Sequence, residues 1–123
     1  MKIFVLDDLD ERHFGFTIHY AGHQIIKAYN VKQAVGVLEV HKDFDIIQLD
    51  HSLQDFEYFP PEDGRKPHEH TGMEVVDYLI NSGYPTSAEV IVHSWDIEPS
   101  RIMAQRLYNV GFNVKREPYR APK

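Results

Sequence analysis

The residue types able to do chemistry gather in three adjacent pairs: Asp7-Asp8, Asp50-His51 and His93-Ser94. Each pair directly follows a short apolar run. Carboxylates brought to one place repel, and without a cation at least one is driven toward its neutral form. A divalent metal removes that conflict. Asp7, Asp8 and Asp50 offer an oxygen set that suits Mg²⁺ or Mn²⁺. Imidazoles added to it, from His51 or His93, shift the preference toward Mn²⁺, Fe²⁺ or Zn²⁺. The opposing reading is that each acid caps a helix or solvates a loop. One pair would fit that reading, whereas three pairs together favour a site.

A second motif is weaker. His68-Glu69-His70 has the His-x-His spacing that chelates a metal when the segment is extended, so His68 and His70 are possible additional ligands. They could equally be two solvated loop residues. The chain holds eight histidines, and His13, His19, His23 and His41 have no comparable setting. They read as surface or boundary residues. Trp95, just after Ser94, is either loop packing or a platform for a base or sugar.

These pairs need a frame that brings them together. Residues 2–6, 23–28, 45–49, 89–92 and 112–114 are short apolar runs that read as five strands. Asn30 can cap a helix with Val31, Ala34, Val35 and Leu38 on one face. Thr71 with Glu74 has capping-box spacing before Val75, Val76, Leu79 and Ile80. Glu98-Pro99 opens a third helix with Ile102, Met103, Leu107 and Val110 on its buried side. Residues 9–23 mix apolar and polar groups and read as a short helix or an irregular loop. Residues 51–70, with Pro60-Pro61, Gly64 and Pro67, read as one long loop. Strands alternating with helices imply parallel βαβ units. The expected fold is a doubly wound, flavodoxin-like α/β sheet of five parallel strands in the order 2-1-3-4-5, with the last helix missing. Ligands of such sheets sit beyond the carboxyl ends of the strands, where all three pairs fall.

Composition narrows the function classes. The 123 residues leave room for one domain, 1–123, and absence of cysteine excludes a disulfide scaffold, a zinc-thiolate site and a thiol nucleophile. Thirteen basic against nineteen acidic side chains give a net charge of −6, unsuited to a duplex DNA cleft. No apolar run approaches the roughly 20 residues of a membrane span, and the opening run is too short for a signal peptide. A cytoplasmic location is the expectation.

The motifs resemble those of known receiver domains. Two-component receivers have a double acid after the first strand, a phosphoacceptor Asp after the third, a small hydroxyl residue after the fourth and Lys-Pro after the fifth. Asp7-Asp8, Asp50 and Ser94 match, while Glu117-Pro118 stands where Lys-Pro would be. The chain is more similar to the cyclic-phosphate-processing receiver domains over about residues 2–112. The similarity lies in Leu6-Asp7-Asp8 with a displaced Glu11-Arg12, Leu49-Asp50-His51-Ser52-Leu53, Thr71-Gly72 and His93-Ser94. Ser52 replaces that family's second Asp, and Trp95-Asp96-Ile97-Glu98-Pro99 its short Asn-Pro turn.

The resemblance implies a receiver-like fold and a metal-dependent phosphoesterase acting on a cyclic phosphate of a nucleotide or RNA end. Asp7, Asp8 and Asp50 would hold the metal, with Mg²⁺ or Mn²⁺ ahead of Zn²⁺. His51 or His93 would be general acid or base, Ser94 would donate to a phosphate oxygen and Arg12 would contact the phosphate. The alternatives are a non-catalytic module that binds a metal, a phosphorylated ligand or a partner protein, and a phosphoacceptor receiver using Asp50.

Overall fold

The computed structural model describes residues 1–122. Its main sheet comprises β1 (Lys2–Leu6), β2 (Gln24–Ala28), β3 (Ile46–Leu49), β6 (Glu89–Val92) and β7 (Asn113–Arg116). The order is β2-β1-β3-β6-β7, and every neighbouring pair is parallel. In the count of main-sheet strands this is the expected 2-1-3-4-5. No helix follows β7 among the described residues.

Side-chain alternation divides the core. Phe4, Leu6, Ile47, Leu49, Val90 and Val92 belong to the larger cluster, which α2 (Val31–Val40), α3 (Gly72–Asn81) and α4 (Ile97–Asn109) complete through Leu38, Leu79 and Leu107. Ile3 and Val5 point the other way and meet Phe16, Tyr20 and Tyr119, from α1 (Asp10–His19) and the tail.

The helix starts follow capping chemistry. Asn30 accepts from the Gln33 N–H at 2.8 Å, as its spacing predicts. Thr71 accepts from the Met73 N–H, but the expected return bond from Glu74 does not form. Glu74 turns to His68 and His70 instead.

Residues 9–23 prove to be a regular helix over most of their length. Its pattern is hard to read because it buries His13, Gly15 and Phe16, while the apolar Phe14 and Ile18 face solvent. The segment 51–70 is not a loop throughout. β4 (Ser52–Glu57) pairs antiparallel with β5 (His68–Thr71), and a short 3-10 turn occupies Pro61–Asp63. The ladder is irregular between Ser52 and Asp55, where Gln54 takes a positive φ of 52°. These strands are largely polar and half of their residues are exposed, so they lack the apolar alternation that marks a half-buried strand. No helix among the described residues is long and apolar enough to cross a membrane.

Candidate functional site

Sheet register brings the chemical pairs together. β1, β3 and β6 end level: Leu6 lies beside Leu49, and Leu49 beside Val92. Asp7, Asp50 and His93 are the next residues and leave the sheet in one row. Alternation turns all three toward the α1 face. All are buried, and one ligand atom from each lies within 4.8 Å of the others.

The two carboxylates respond oppositely to this crowding. Asp7 Oδ1 accepts from the Leu9 N–H at 3.0 Å, and Oδ2 from His93 Nε2 at 2.8 Å and Arg12 Nη1 at 3.3 Å. Burial pushes its pKa up. The bonds from His93 and Leu9 and the charges of His93 and Arg12 outweigh burial and hold it below the usual range. Asp50 has fewer partners. Its Oδ1 accepts from the His51 N–H at 2.8 Å, and Arg12 Nη1 reaches Oδ2 only at 3.5 Å. Burial, reinforced by the charge of Asp7, pushes its carboxyl up to about 6 against the weaker pull of His93, His51 and Arg12.

His93 is 1% exposed and meets the site through Asp7. Its Nδ1 faces Gln48 Oε1 at 3.0 Å, and Gln48 Nε2 donates to the Tyr20 hydroxyl at 2.8 Å. The edge of Phe16 closes over the ring. His13, expected at a surface or boundary, is buried as well and bonds the Asp7 carbonyl oxygen at 2.8 Å through Nε2. Its ring packs on Tyr29.

Above the row opens a cleft of about 390 Å³, lined by Asp8, Leu9, Arg12, Asp50, Ser52, Gln54, Ser94, Trp95 and Asp96. Asp8 is on its wall, outside the Asp7–Asp50–His93 triplet. Burial pushes the Asp8 carboxyl up, and Asp7 adds to it. Asp96 accepts from the Ser52 hydroxyl at 2.7 Å and faces His51 Nδ1 at 3.0 Å through the same oxygen. Those two bonds hold it below the usual carboxylate range. Ser94 Oγ accepts from the Asp96 N–H at 3.0 Å. Trp95 is exposed at the rim, with its indole N–H donated to the Tyr119 carbonyl. His68 and His70 gather around Glu74 and form a group of their own.

The donor set fits a hard divalent cation. Asp8, Asp50 and Asp96 line the cleft, Asp7 lies buried beside Asp50, and Arg12 is the cationic side chain among the lining residues. Its two contacts, at 3.3 and 3.5 Å, span Asp7 and Asp50 without closing on either. Burial first, and the charge of Asp7 second, leave the Asp50 carboxyl raised, since Arg12 and His93 do not offset them.

The sequence pattern described as the cyclic-phosphate processing receiver domain matches residues 1–109. The chain belongs to that family. Solved structures share the fold at low sequence identity. A response regulator from Burkholderia pseudomallei, solved with a phosphorylated aspartic acid, a calcium ion and citrate, matches at 17% identity and TM-score 0.61. The match covers 94% of this chain and 58% of that one, so this chain spans little more than half the length of that one. Chemotaxis protein CheY4 of Vibrio cholerae matches at 18% identity and TM-score 0.60, over 97% of this chain and 88% of that one. NtrX from Brucella abortus matches at 19% identity and TM-score 0.63, over 98% of this chain and 24% of that one. No protein of curated function matches the sequence.

Three supports of the receiver site escape a reading of strand ends. Gln48 carried a signal, a lone amide inside the apolar run of residues 46–49. Asp96 lies two residues beyond Ser94 and reaches Ser52 and His51 only across the fold. His13 has no sequence signal, because its burial depends on how α1 packs over Asp7 and Tyr29.

Proposed function

We propose that this receiver domain hydrolyses a cyclic phosphate ester, of a nucleotide or an RNA end, with a divalent cation held by Asp7 and Asp50 and with Asp8 beside them. The observation that carries the reading is the charge of the cleft: three carboxylates line it and a fourth, Asp7, lies buried beside Asp50, against one guanidinium, so a cation favours the entry of an anionic ester. Mg²⁺ or Mn²⁺ bound there would neutralise phosphoryl oxygens and lower the pKa of a bound water.

The chain's own residues divide the remaining work. Arg12 is stacked over Tyr119 and already aimed at the carboxylates, and it holds a phosphoryl oxygen. Ser94 offers its hydroxyl to a second oxygen, and Trp95 offers a ring face to a base or sugar. Asp96 accepts from His51 Nδ1, which leaves Nε2 as the atom that takes or gives a proton. His93 is enclosed and acts as a positioning residue that holds Asp7.

These roles separate in kinetics. With Mn²⁺ and a 2′,3′-cyclic nucleotide, His51→Gln is expected to lower kcat by roughly 10²–10⁴ with folding intact. Arg12→Ala is expected to raise KM. His93→Gln is expected to weaken metal affinity, with turnover recovering at high Mn²⁺. If the parent protein hydrolyses no cyclic phosphate with Mg²⁺, Mn²⁺ or Zn²⁺, the enzymatic reading fails.

The second reading is a non-catalytic module that binds a metal, a phosphorylated ligand or a partner protein. It is favoured by the fact that neither His51 nor His93 lines the cleft. A phosphoacceptor role for Asp50 has less support. Lys115 pairs with Glu89, and Glu117 precedes Pro118, so no lysine is among the lining residues.

A further inference from the structure

β5 runs straight into α3, and that junction concentrates ligating groups. In the strand, His68 and His70 are two apart and share a face. Two residues after the start of α3, Glu74 turns back toward both. Its Oε1 is 3.1 Å from His68 Nε2, and its Oε2 is 2.7 Å from His70 Nδ1. The two imidazoles stand edge to face with centroids 4.5 Å apart. One ligand atom from each of the three residues lies within 4.8 Å of the others. From the neighbouring strand, Glu57 Oε2 sits 3.3 Å from His70 Nε2, the ring nitrogen turned away from Glu74.

We propose that His68, His70 and Glu74 bind a divalent transition-metal ion of the Zn²⁺ class, at a site separate from the Asp7–Asp50 cleft. Two imidazole nitrogens and one carboxylate oxygen are a three-ligand set that Zn²⁺ accepts with a water in the fourth position. They are a poor set for Mg²⁺, which demands oxygen ligands. Glu57 supplies the outer partner. A ligating histidine usually donates its second N–H to a carboxylate, which fixes the tautomer and raises the basicity of the ligating nitrogen. His70 has that arrangement, with Nδ1 turned inward and Nε2 toward Glu57. The ion fastens β5 to α3 and, through the β4–β5 ladder, steadies the hairpin whose first residue, Ser52, lines the cleft. The proposal stands whether or not the cleft is catalytic.

The test is a Zn²⁺ titration of the full chain in competition with a chromophoric chelator. One equivalent is expected to bind the parent and also Asp50→Asn. His68→Gln and His70→Gln are each expected to weaken that binding by tenfold or more, and Glu57→Gln by about tenfold. Co²⁺ is expected to give visible d–d absorption in the parent that His70→Gln removes. Should His70→Gln unfold, the Glu57 variant, which keeps all three ligands, carries the comparison. Zinc binding that vanishes in Asp50→Asn but persists in His70→Gln would overturn the proposal, as would a parent chain that takes up no Zn²⁺.

Discussion

Asp50→Asn is expected to make the metal-free protein more stable at pH 8 and to abolish its response to Mg²⁺. The parent holds the Asp50 carboxyl at about 6, against 3.8 for an ordinary aspartate. Between those values the folded state keeps a proton that the unfolded chain has released. Stability therefore falls as pH rises through the window of roughly 4 to 6, and the loss is complete above it. For a buried group the displacement corresponds to about 3 kcal/mol. Asparagine keeps the acceptor that the His51 N–H uses and never ionises, so the variant should show no such fall. Its gain is an upper limit, because the new amide faces Arg12.

Urea unfolding at pH 4, 6 and 8 measures the effect, and the two proteins should converge at the lowest pH. Added Mg²⁺ should raise the Tm of the parent alone, since a ligand stabilises only a fold that binds it. Equal Mg²⁺ shifts in both proteins would remove Asp50 from the metal's ligands. The lowered carboxyl of Asp7 acts in the opposite sense, contributing stability that disappears as pH drops below the ordinary aspartate range.

Gly72→Ala is expected to cost about 3 kcal/mol or more, because the space for a Cβ is already taken by backbone. An added Cβ would lie 1.8 Å from the Asp50 carbonyl oxygen, 3.0 Å from its carbonyl carbon and 3.1 Å from Met103 Cε. The methionine end can give way. The Asp50 peptide cannot move without displacing the carboxylate it carries and the 2.8 Å bond from the Gly72 N–H to the His51 carbonyl. The substitution should therefore lower both stability and Mg²⁺ affinity. Gly36→Ala is the control. A Cβ at Gly36, in α2, meets nothing within 4 Å, so alanine there should add roughly 0.5–1 kcal/mol through its helical preference. A Gly72→Ala protein as stable as the parent would mean that the junction of β5 with α3 yields more easily than its backbone contacts imply.

Much of the fold was legible because it rests on local pattern. The apolar runs ending in Asp7, Asp50 and His93 are strands buried on both faces, and such strands need no partner in view to be recognised. The same applies to the Asn30 cap and the Val75–Leu79 stripe of α3. The Thr71-Gly72 motif was legible as sequence, but its physical cause was not. The glycine is required by the backbone of Asp50, twenty-two positions earlier in the chain.

What the sequence by itself determined is the strand-and-helix alternation, the family and the residues at the strand ends. Tertiary structure decided how those residues relate. Asp50 and Asp7 carry the same side chain one residue past a strand. One is pushed to about 6 and the other is held below the usual range, because His93 and Leu9 bond to Asp7 alone. His51 and His93 looked equivalent in sequence, yet one is half-buried and faces Asp96 while the other is sealed against Asp7 and Gln48. His68 and His70 could have joined either cluster, and the β4–β5 pairing took them to Glu74. Burial and hydrogen-bond partners come from segments distant in the chain. Electrostatics depends on those partners far more than on side-chain type, so it can be read only once the chain is folded.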